Sequence, residues 1–555
     1  MSGVKQAATA CGDLSFLIPD SRRLTPDPCR TMEFKPGRTV GIDLGTTFST
    51  LAYLNEEGDP VPVTNEDGEV ETPSLVLLAH GGHVIVGPSR IRAAMENPDN
   101  VVERVKRYMG NAEFKRTFDG REITPEFLSA LILKKLRQDG EKRIGKIGNA
   151  VITVPYYFND ARRKATEDAG RIAGLHVVDI INEPTAATLT YAWHRGELGS
   201  SAKGVKPHQA LVYDLGGGTF DVTVVRYTPS HFQVLATDGD VHLGGIDWND
   251  RLVDFVAGEF QSRHGADPRT SSQTLQMLRH DCDTAKISLT EHSQTMVTCR
   301  HEGKVITVPI TREQFDEITA DLLQRTIDTA ELVLGQAKIS FGDLDAVVLV
   351  GGSTLMPKVA KALKHLTGIE PFRGLSPHTS VAQGAAIHAA ILEAKYRGEA
   401  SELTERVRKR LSVVKQEEVN SHGLGVAARN PKSGKVLNHI MIHRNTKLPA
   451  EAKQTFVTIE PNQQRVSIRV LEGDAPDPAA CSLVGHCNIS DLPANLPKGS
   501  PIEVTYSFDT SGRIRVQARD KTGGKEATIE IERRGGLNES QVDAFSTLAE
   551  SYKVE

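Results

Sequence analysis

The chain is poor in cysteine: Cys11, Cys29, Cys282, Cys299, Cys481 and Cys487 are the six in 555 residues, and no two have Cys-x-x-Cys spacing. That excludes a disulfide framework. The thiols read as buried or incidental, in keeping with a reducing, cytoplasmic setting. No apolar run approaches the ~20 residues of a membrane-crossing helix, so no membrane partner is expected. Residues 1–31 hold one short apolar patch, Leu14 to Pro19, with no small-residue cleavage site after it. They read as a disordered extension or a mis-assigned start rather than a signal peptide. The C-terminal Ser551-Tyr-Lys-Val-Glu555 does not match an ER-retention signal. Charge of one sign is also lacking. A net charge of −5 gives no electrostatic reason to expect nucleic acid. The absence of a Walker A pattern excludes a P-loop NTPase.

What is present is the balance of a soluble globular protein, 39% hydrophobic and 25% charged, and a length beyond one hydrophobic core. From about residue 38 to 398, strand and helix patterns alternate, which predicts an α/β domain. Thr39 to Asp43 and Ala150 to Pro155 read as strands. Asn159 and Asp160 are candidate N-caps for a helix that places Ala165, Ala169, Ile172 and Ala173 on one face. Thr311 and Gln314 have capping-box spacing ahead of Phe315, Ile318 and Leu322. Asp345 to Val350 is a further buried-strand run. After about residue 420 the period changes to two. Val466, Ile468 and Val470 alternate with polar residues, as do Ile502, Val504, Tyr506 and Phe508. A turn at Asp509 to Gly512 precedes Ile514, Val516 and Ala518, and Ala527, Ile529 and Ile531 follow. Short alternating strands with Gly and Asp turns predict an all-β sandwich.

One internal repeat points to chemistry. Gly41-Ile-Asp-Leu-Gly-Thr-Thr-Phe-Ser49 resembles Tyr213-Asp-Leu-Gly-Gly-Gly-Thr-Phe-Asp221. Each copy places an acid, Asp43 or Asp214, at a strand end, then small residues, then Thr and Phe. Glycine lets backbone N–H groups approach a phosphate closely because it has no Cβ. Gly45, Thr46 and Thr47 form one such loop; Gly216, Gly217, Gly218 and Thr219 form the other. Two carboxylates converging on a polyphosphate would hold hydrated Mg²⁺. Gly351-Gly352-Ser353-Thr354 after a strand could be a plain β–α turn or a third ligand loop.

Gly41–Ser49, Asp214–Asp221 and Val348–Thr354 resemble the three signatures of the 70-kDa heat-shock chaperone family. Asn182 to Ala187, Val154 to Asp160, Lys106-Arg107-Tyr-Met-Gly110, Arg444 to Pro449, Leu471 to Gly473 and Asp520 to Glu526 match it as well. The resemblance spans about residues 38–546. It implies a two-lobed, actin-like α/β ATPase domain followed by an all-β peptide-binding domain. The expected divisions are 1–37, an extension; 38–398, the ATPase; 399–421, a linker; 422–535, the β-sandwich; and 536–555, a truncated lid helix. It implies a stress-response chaperone that binds and releases apolar segments of unfolded proteins as it hydrolyses ATP to ADP. A J-domain co-chaperone and a nucleotide-exchange factor would be its partners.

By position, the resemblance puts Asp43 and Asp214 at the metal. Lys106, Glu183, Asp214, Thr219 and Asp221 would act in hydrolysis. Gly45, Thr46, Thr47, Phe48, Gly216, Gly217, Gly218, Asp283, Lys286, Thr290, Gly351, Gly352 and Ser353 would contact the nucleotide. Val426, Phe456, Val466 and Ile468 would line the peptide groove, against the alternative that all four are ordinary core. Pro155 and Arg163 would relay between domains. Several positions depart from the family. Ile287 and Leu355 would flank the adenine where arginine is frequent, Phe48 replaces tyrosine, and His378 and Thr379 replace two acids. Asp179 replaces an arginine that would face a J-domain, which predicts a specialised or absent J-protein partner. Polar Lys415, Gln416, Glu417 and Glu418 replace the linker leucines, which predicts weakened or rewired coupling between the domains. A nucleotide-binding adaptor and a small-molecule kinase on an actin-like scaffold are the other readings.

Overall fold

The computed structural model describes residues 33–79, 83–87, 100–111, 113–114, 116–200, 206–430, 433–509, 514–531 and 537–555. The expected extension at 1–31 and most of the expected turn at Asp509 to Gly512 lie outside them.

The internal repeat is visible as two sheets of matched topology. In the first, Arg38–Asp43, Phe48–Leu54 and Pro60–Val63 form an antiparallel meander, and Ile147–Val154 pairs in parallel with Arg38–Asp43. In the second, His208–Leu215, Phe220–Thr228 and His231–Asp240 form the meander. Ala346–Val350 pairs in parallel with its first strand. Parallel strands buried on both faces need near-continuous apolar sequence. Ile147–Val154 and Ala346–Val350 are buried at every position. Val177–Asn182 extends the first sheet beside Ile147–Val154.

Local signals fix the helices that cover these sheets. Asn159 caps Asp160–Ile172 by accepting from the Arg162 amide, and Ala165, Ala169 and Ile172 are buried as their spacing requires. Thr311 and Gln314 make both bonds of the expected capping box. The helical run from Phe315 to Leu322 is split into Arg312–Ile318 and Ala320–Ala337. At the break the Thr319 hydroxyl donates back to the Phe315 carbonyl at 2.7 Å, satisfying a carbonyl at the end of the first helix. Ser380–Tyr396 is buried on nearly every side against Glu183–His194 and the first meander.

The β-rich region has two four-stranded antiparallel sheets. One is ordered Val436–Ile442, Leu424–Arg429, Val466–Glu472, Ser482–Ile489; the other Ala450–Val457, Pro501–Phe508, Ile514–Asp520, Glu526–Ile531. Val426, Ile468, Val470 and Cys487 from one share a core with Ile502, Val504, Tyr506, Ile514, Val516 and Ala518 from the other. The period-two pattern thus puts its apolar faces where expected.

Two segments find pairing or packing that their sequence does not announce. The polar linker is not loose: Lys415–Glu417 adds to the second sheet, parallel to His231 through Gln233. Strand addition uses backbone groups and is indifferent to the lost leucines, while flanking Val414 and Val419 are buried. The C-terminal helix Glu539–Ser551, capped by Asn538 and Gln541, packs on Pro125–Ile144 and Asp160–Ile172. Lys553–Val554 then pairs with His83–Val86 at the edge of a small four-stranded sheet.

Candidate functional site

The two matched hairpins meet at a cleft of about 440 Å³, within the ordinary range of small-ligand sites. Asp43 stands at the end of Arg38–Asp43 and Asp214 near the end of His208–Leu215, so both acids arrive at corresponding turns. Gly217 is required where the turns touch. A Cβ there would stand 1.9 Å from Thr47 Oγ1, and one on Gly218 2.4 Å from Thr46 Cγ2. Gly351 has φ +82°, and its Cβ would fall 2.4 Å from the Leu215 carbonyl oxygen, so only glycine fits without strain. Ser353 Oγ donates to the Gly216 carbonyl at 2.9 Å and ties the third loop to the second.

A charged cluster lies at the base of the cleft. Lys106 Nζ donates to Glu183 Oε1 at 2.5 Å, and both side chains are almost fully buried. Lys106 comes from the one-turn helix Val105–Tyr108; Glu183 opens Glu183–His194 directly after a strand. Burial, and then the charge of Glu183, raise the Asp43 carboxyl to about 7, although the Thr153 hydroxyl donates to it at 3.1 Å. Burial and Glu183 also raise Asp221 to about 7. Asp214 is pushed well above the carboxylate range by burial, Glu183, Asp221 and Asp43. Burial alone would discharge Lys106, but Glu183 and Asp43 outweigh it and hold its ammonium above the ordinary lysine value. This is an excess of buried carboxylates around a single ammonium. It raises the acids because the charged forms lack both water and counter-charge.

The rest of the cleft is built for a flat, partly polar group. Asp283 accepts from Asn249 Nδ2 at 2.7 Å and from Lys286 Nζ at 3.0 Å. Burial works against the Asp283 charge, and Lys286 and Asn249 overcome it, leaving the carboxyl below its ordinary value. Lys286 also donates to the Gly245 carbonyl at 3.2 Å. Ile287 and Leu355 line the cleft while 60% and 46% exposed, and Phe48 is 39% exposed there. Large apolar groups left open in a concavity offer surface to a ligand.

All the expected nucleotide residues except Gly218 line this one cleft, as do Asp43, Lys106, Glu183, Asp214 and Thr219. Gly218 is in the adjoining turn, its carbonyl accepting from Arg107 Nε at 3.0 Å. Asp221 is buried one strand position beyond that turn, where Oδ2 accepts from the Tyr156 amide at 3.2 Å. Among the described residues, no group of three or more His, Cys, Asp or Glu side chains is arranged to hold a metal ion by itself. The four expected groove residues divide. Val426 and Ile468 are buried in the core between the β sheets, while Phe456 and Val466 are half-buried at its margin.

Sequence reading missed side chains that reach the cleft from distant segments. Thr153 supports Asp43, Asn249 holds Asp283, and Glu71 and Arg104 line the wall. Arg107 bonds the Gly218 carbonyl and also donates to Asp247 at 2.7 Å. Arg107 stood in the Lys106–Gly110 motif without a role; for the others the only signal was polarity, which surface residues share.

The expected relay is contiguous with both the cleft and the linker. Arg163 donates to Asn182, the residue before Glu183, and Asn182 Nδ2 donates to Glu418 Oε2 at 3.2 Å. Buried Pro155 precedes Tyr156, whose hydroxyl bonds the Val419 backbone. Burial raises Glu418, and raises Glu472 to about 7 where its carboxylate meets the Asp160 amide at 3.4 Å. Arg444 pairs with Asp238 at 2.7 Å, and His422 Nε2 lies 3.1 Å from the Tyr157 carbonyl oxygen. Asp179, the acid expected to face a J-domain, is held 2.7 Å from His388 Nε2.

A comparison with protein families agrees with this architecture. The family model described as Hsp70 protein matches residues 39–119 and 111–555. The matched segments take in both hairpins, the linker strand and both β sheets, and the chain belongs to the Hsp70 family.

Proposed function

We propose that this protein is an ATP-driven chaperone in which the cleft hydrolyses Mg·ATP and the β-rich region takes up exposed apolar peptide segments. The observation that carries the reading is the buried Lys106–Glu183 pair, set among Asp43, Asp214 and Asp221 on two matched hairpins at one cleft. Family membership supports the general activity, since Hsp70 members are ATPases that bind unfolded peptides.

The residues present fit a magnesium ion and a triphosphate. Among the described residues, buried Thr47 Oγ1 and Asp221 Oδ1 have no hydrogen-bond partner, which is costly unless a ligand or solvent supplies one. A cation bound at Asp43 and Asp214 would let both carboxyls ionise together, beyond what Lys106 alone provides. Magnesium keeps most of its waters and binds through one or two carboxylates plus phosphates, so Asp43 and Asp214 suffice as its protein partners. When bound, the ion would neutralise phosphate charge.

The chain's own residues supply the remainder. Thr46, Thr47 and the Gly216–Thr219 turn bind and orient the phosphates. Glu183 fixes the Lys106 ammonium, which orients the attacking water and stabilises charge on the terminal phosphoryl group. Asp221 would hold waters of the ion when it is bound. Positioning and charge neutralisation are enough for phosphoryl transfer to water, and no covalent nucleophile is needed. Asp283, Lys286 and Thr290 hold the nucleoside, with Ile287 and Leu355 burying the base faces.

The two-lobed ATPase and the β-sandwich peptide domain are part of this proposal. So is their coupling, which runs through polar groups: Asp221 to Tyr156 to Val419, and Asn182 to Glu418. Peptide would contact Phe456 and Val466 first, with Val426 and Ile468 beneath them. The test is steady-state ATPase of the full chain with and without an unstructured apolar peptide. Peptide stimulation of a magnesium-dependent rate is expected. Turnover that is indifferent to peptide would leave a nucleotide-binding adaptor, and turnover that requires a metabolite would indicate a kinase.

A further inference from the structure

The cleft contains a histidine–carboxylate pair that the proposed function leaves unused. His378 Nδ1 lies 2.9 Å from Glu71 Oε1, and both residues line the cleft. Glu71 immediately precedes Thr72–Pro73, which pairs with Ser49 and Phe48 beside the Gly45–Thr47 turn. On its other side the imidazole lies against the Gly351–Gly352 turn. A Cβ on Gly352 would be 3.0 Å from His378 Cε1, and the Gly351 amide donates to Pro377 at 3.2 Å. The Thr50 hydroxyl donates to the His378 carbonyl at 3.4 Å, fixing the backbone. The ring therefore stands between the Gly45–Thr47 turn assigned to phosphates and the Gly351–Ser353 turn.

Nδ1 is committed to Glu71, and Nε2 has no hydrogen-bond partner among the described residues. The bond to Glu71 is the largest influence on the ring. It outweighs burial and raises the histidine above its ordinary value, which favours the doubly protonated form. Glu71 is the titratable group facing the ring; Thr50 and the Gly351–Ser353 turn bring no charge from the other sides.

We propose that His378 is a further nucleotide-anchoring residue: Nδ1–H donates to Glu71 while Nε2–H is presented to a phosphate oxygen of the bound nucleotide. The proposal rests on the nucleotide reading of the cleft and adds to it a contact selective for phosphorylated ligands. A cationic donor to an anionic oxygen is stronger than a neutral one and disappears when the ring loses its proton. Phosphate affinity at this wall should therefore fall as pH rises through the histidine range.

The test is calorimetric titration of the full chain with Mg·ADP and, separately, with adenosine, between about pH 6 and about pH 8.5. His378→Gln and Glu71→Gln are measured alongside. The wild type should exceed His378→Gln in Mg·ADP affinity by about tenfold at the acid end. That ratio should approach one at the alkaline end, while adenosine binds both proteins alike throughout. Glu71→Gln should move the transition to lower pH. Taking the ratio cancels the nucleotide's own protonation. A wild-type to His378→Gln ratio that is flat with pH, or one reproduced by adenosine, overturns the proposal. Loss of Mg·ADP and adenosine binding in the wild type itself would overturn the nucleotide reading as well, which is a separate and recognisable result.

Discussion

The Tyr156 hydroxyl donates to the Val419 carbonyl and accepts from the Val419 amide at 3.1 Å, so one side chain satisfies both backbone groups of a buried linker residue. The Tyr156 amide in turn donates to Asp221 in the carboxylate cluster. Tyr156→Phe keeps the ring packed but leaves the Val419 N–H and C=O without a partner. Each such buried group costs about 1–3 kcal/mol. The linker strand Lys415–Glu417 should then release. Hydrogen exchange of residues 415–419 should rise, and peptide stimulation of ATPase should fall several-fold. Mg·ADP affinity should hold, since the nucleotide contacts are untouched.

Lys106 and Glu183 form a buried ion pair whose members fail differently. Removing one partner of such a pair leaves an uncompensated charge. Lys106→Met deletes the ammonium and leaves Glu183 among three other carboxylates. Single-turnover hydrolysis should drop by about 100-fold or more, the scale of losing one preorganised charge-stabilising group. Nucleotide binding, read separately by calorimetry, should persist. Loss of binding in step with the rate would mean that Lys106 holds the nucleotide rather than the transition state.

The parts of the site that were legible in sequence share one property: their chemistry is local. Asp43 with Gly45–Thr47 and Asp214 with Gly216–Thr219 are strand–turn units whose acids and glycines are fixed by their own few residues. Thr153, Asn249 and Glu71 reach the same cleft from other elements, and nothing in their neighbourhoods announces it. The pairing of the linker was not legible for a different reason. Replacing leucines with Lys415, Gln416, Glu417 and Glu418 removes apolar burial, but pairing with His231 through Gln233 depends on the backbone, and Glu418 finds Asn182. For the C-terminal helix, the spacing of Val542, Phe545 and Leu548 announces a buried stripe without saying what buries it.

Glu472 gives the contact between the α/β and β-rich regions a pH dependence. Its carboxyl meets the Asp160 amide and, through burial, is raised to about 7. A carboxyl raised by an interface is protonated in the joined state over a range where the separated state has already ionised. Separation therefore releases a proton, and the joined state loses stability as pH rises from the ordinary glutamate value toward about 7. Limited proteolysis at residues 412–420 should be slow near about pH 5 and accelerate by about tenfold or more toward neutrality. In Glu472→Gln this acceleration should be largely absent, because the amide carries no titrating proton. Equal acceleration in both proteins would assign the effect to another group.

The C-terminal segment supports a prediction that separates anchoring on the α/β region from pairing at the linker. Tyr552 packs edge-on against Phe127, with ring centroids 5.9 Å apart, in the core that also holds Val542, Ala549 and Val554. Lys134 Nζ donates to the carbonyls of Ala549 and Tyr552 at 2.7 and 2.9 Å, closing the helix end. Beyond it, Glu555 exchanges backbone bonds with Val84 and Val86 at 2.9 Å each. Tyr552→Ala removes a buried ring, a change that costs about 3–5 kcal/mol where a core cannot collapse around it. This segment can open locally without the rest of the α/β core, so the loss should be spent there. Amide exchange should rise at Val86 and through Glu539–Ser551, with thermal stability of the whole chain falling only a few degrees. Exchange at 415–419 should stay at its wild-type level, because Tyr156 and the linker bonds are untouched. A rise there as well would show that the C-terminal segment and the linker strand release together as one cooperative unit.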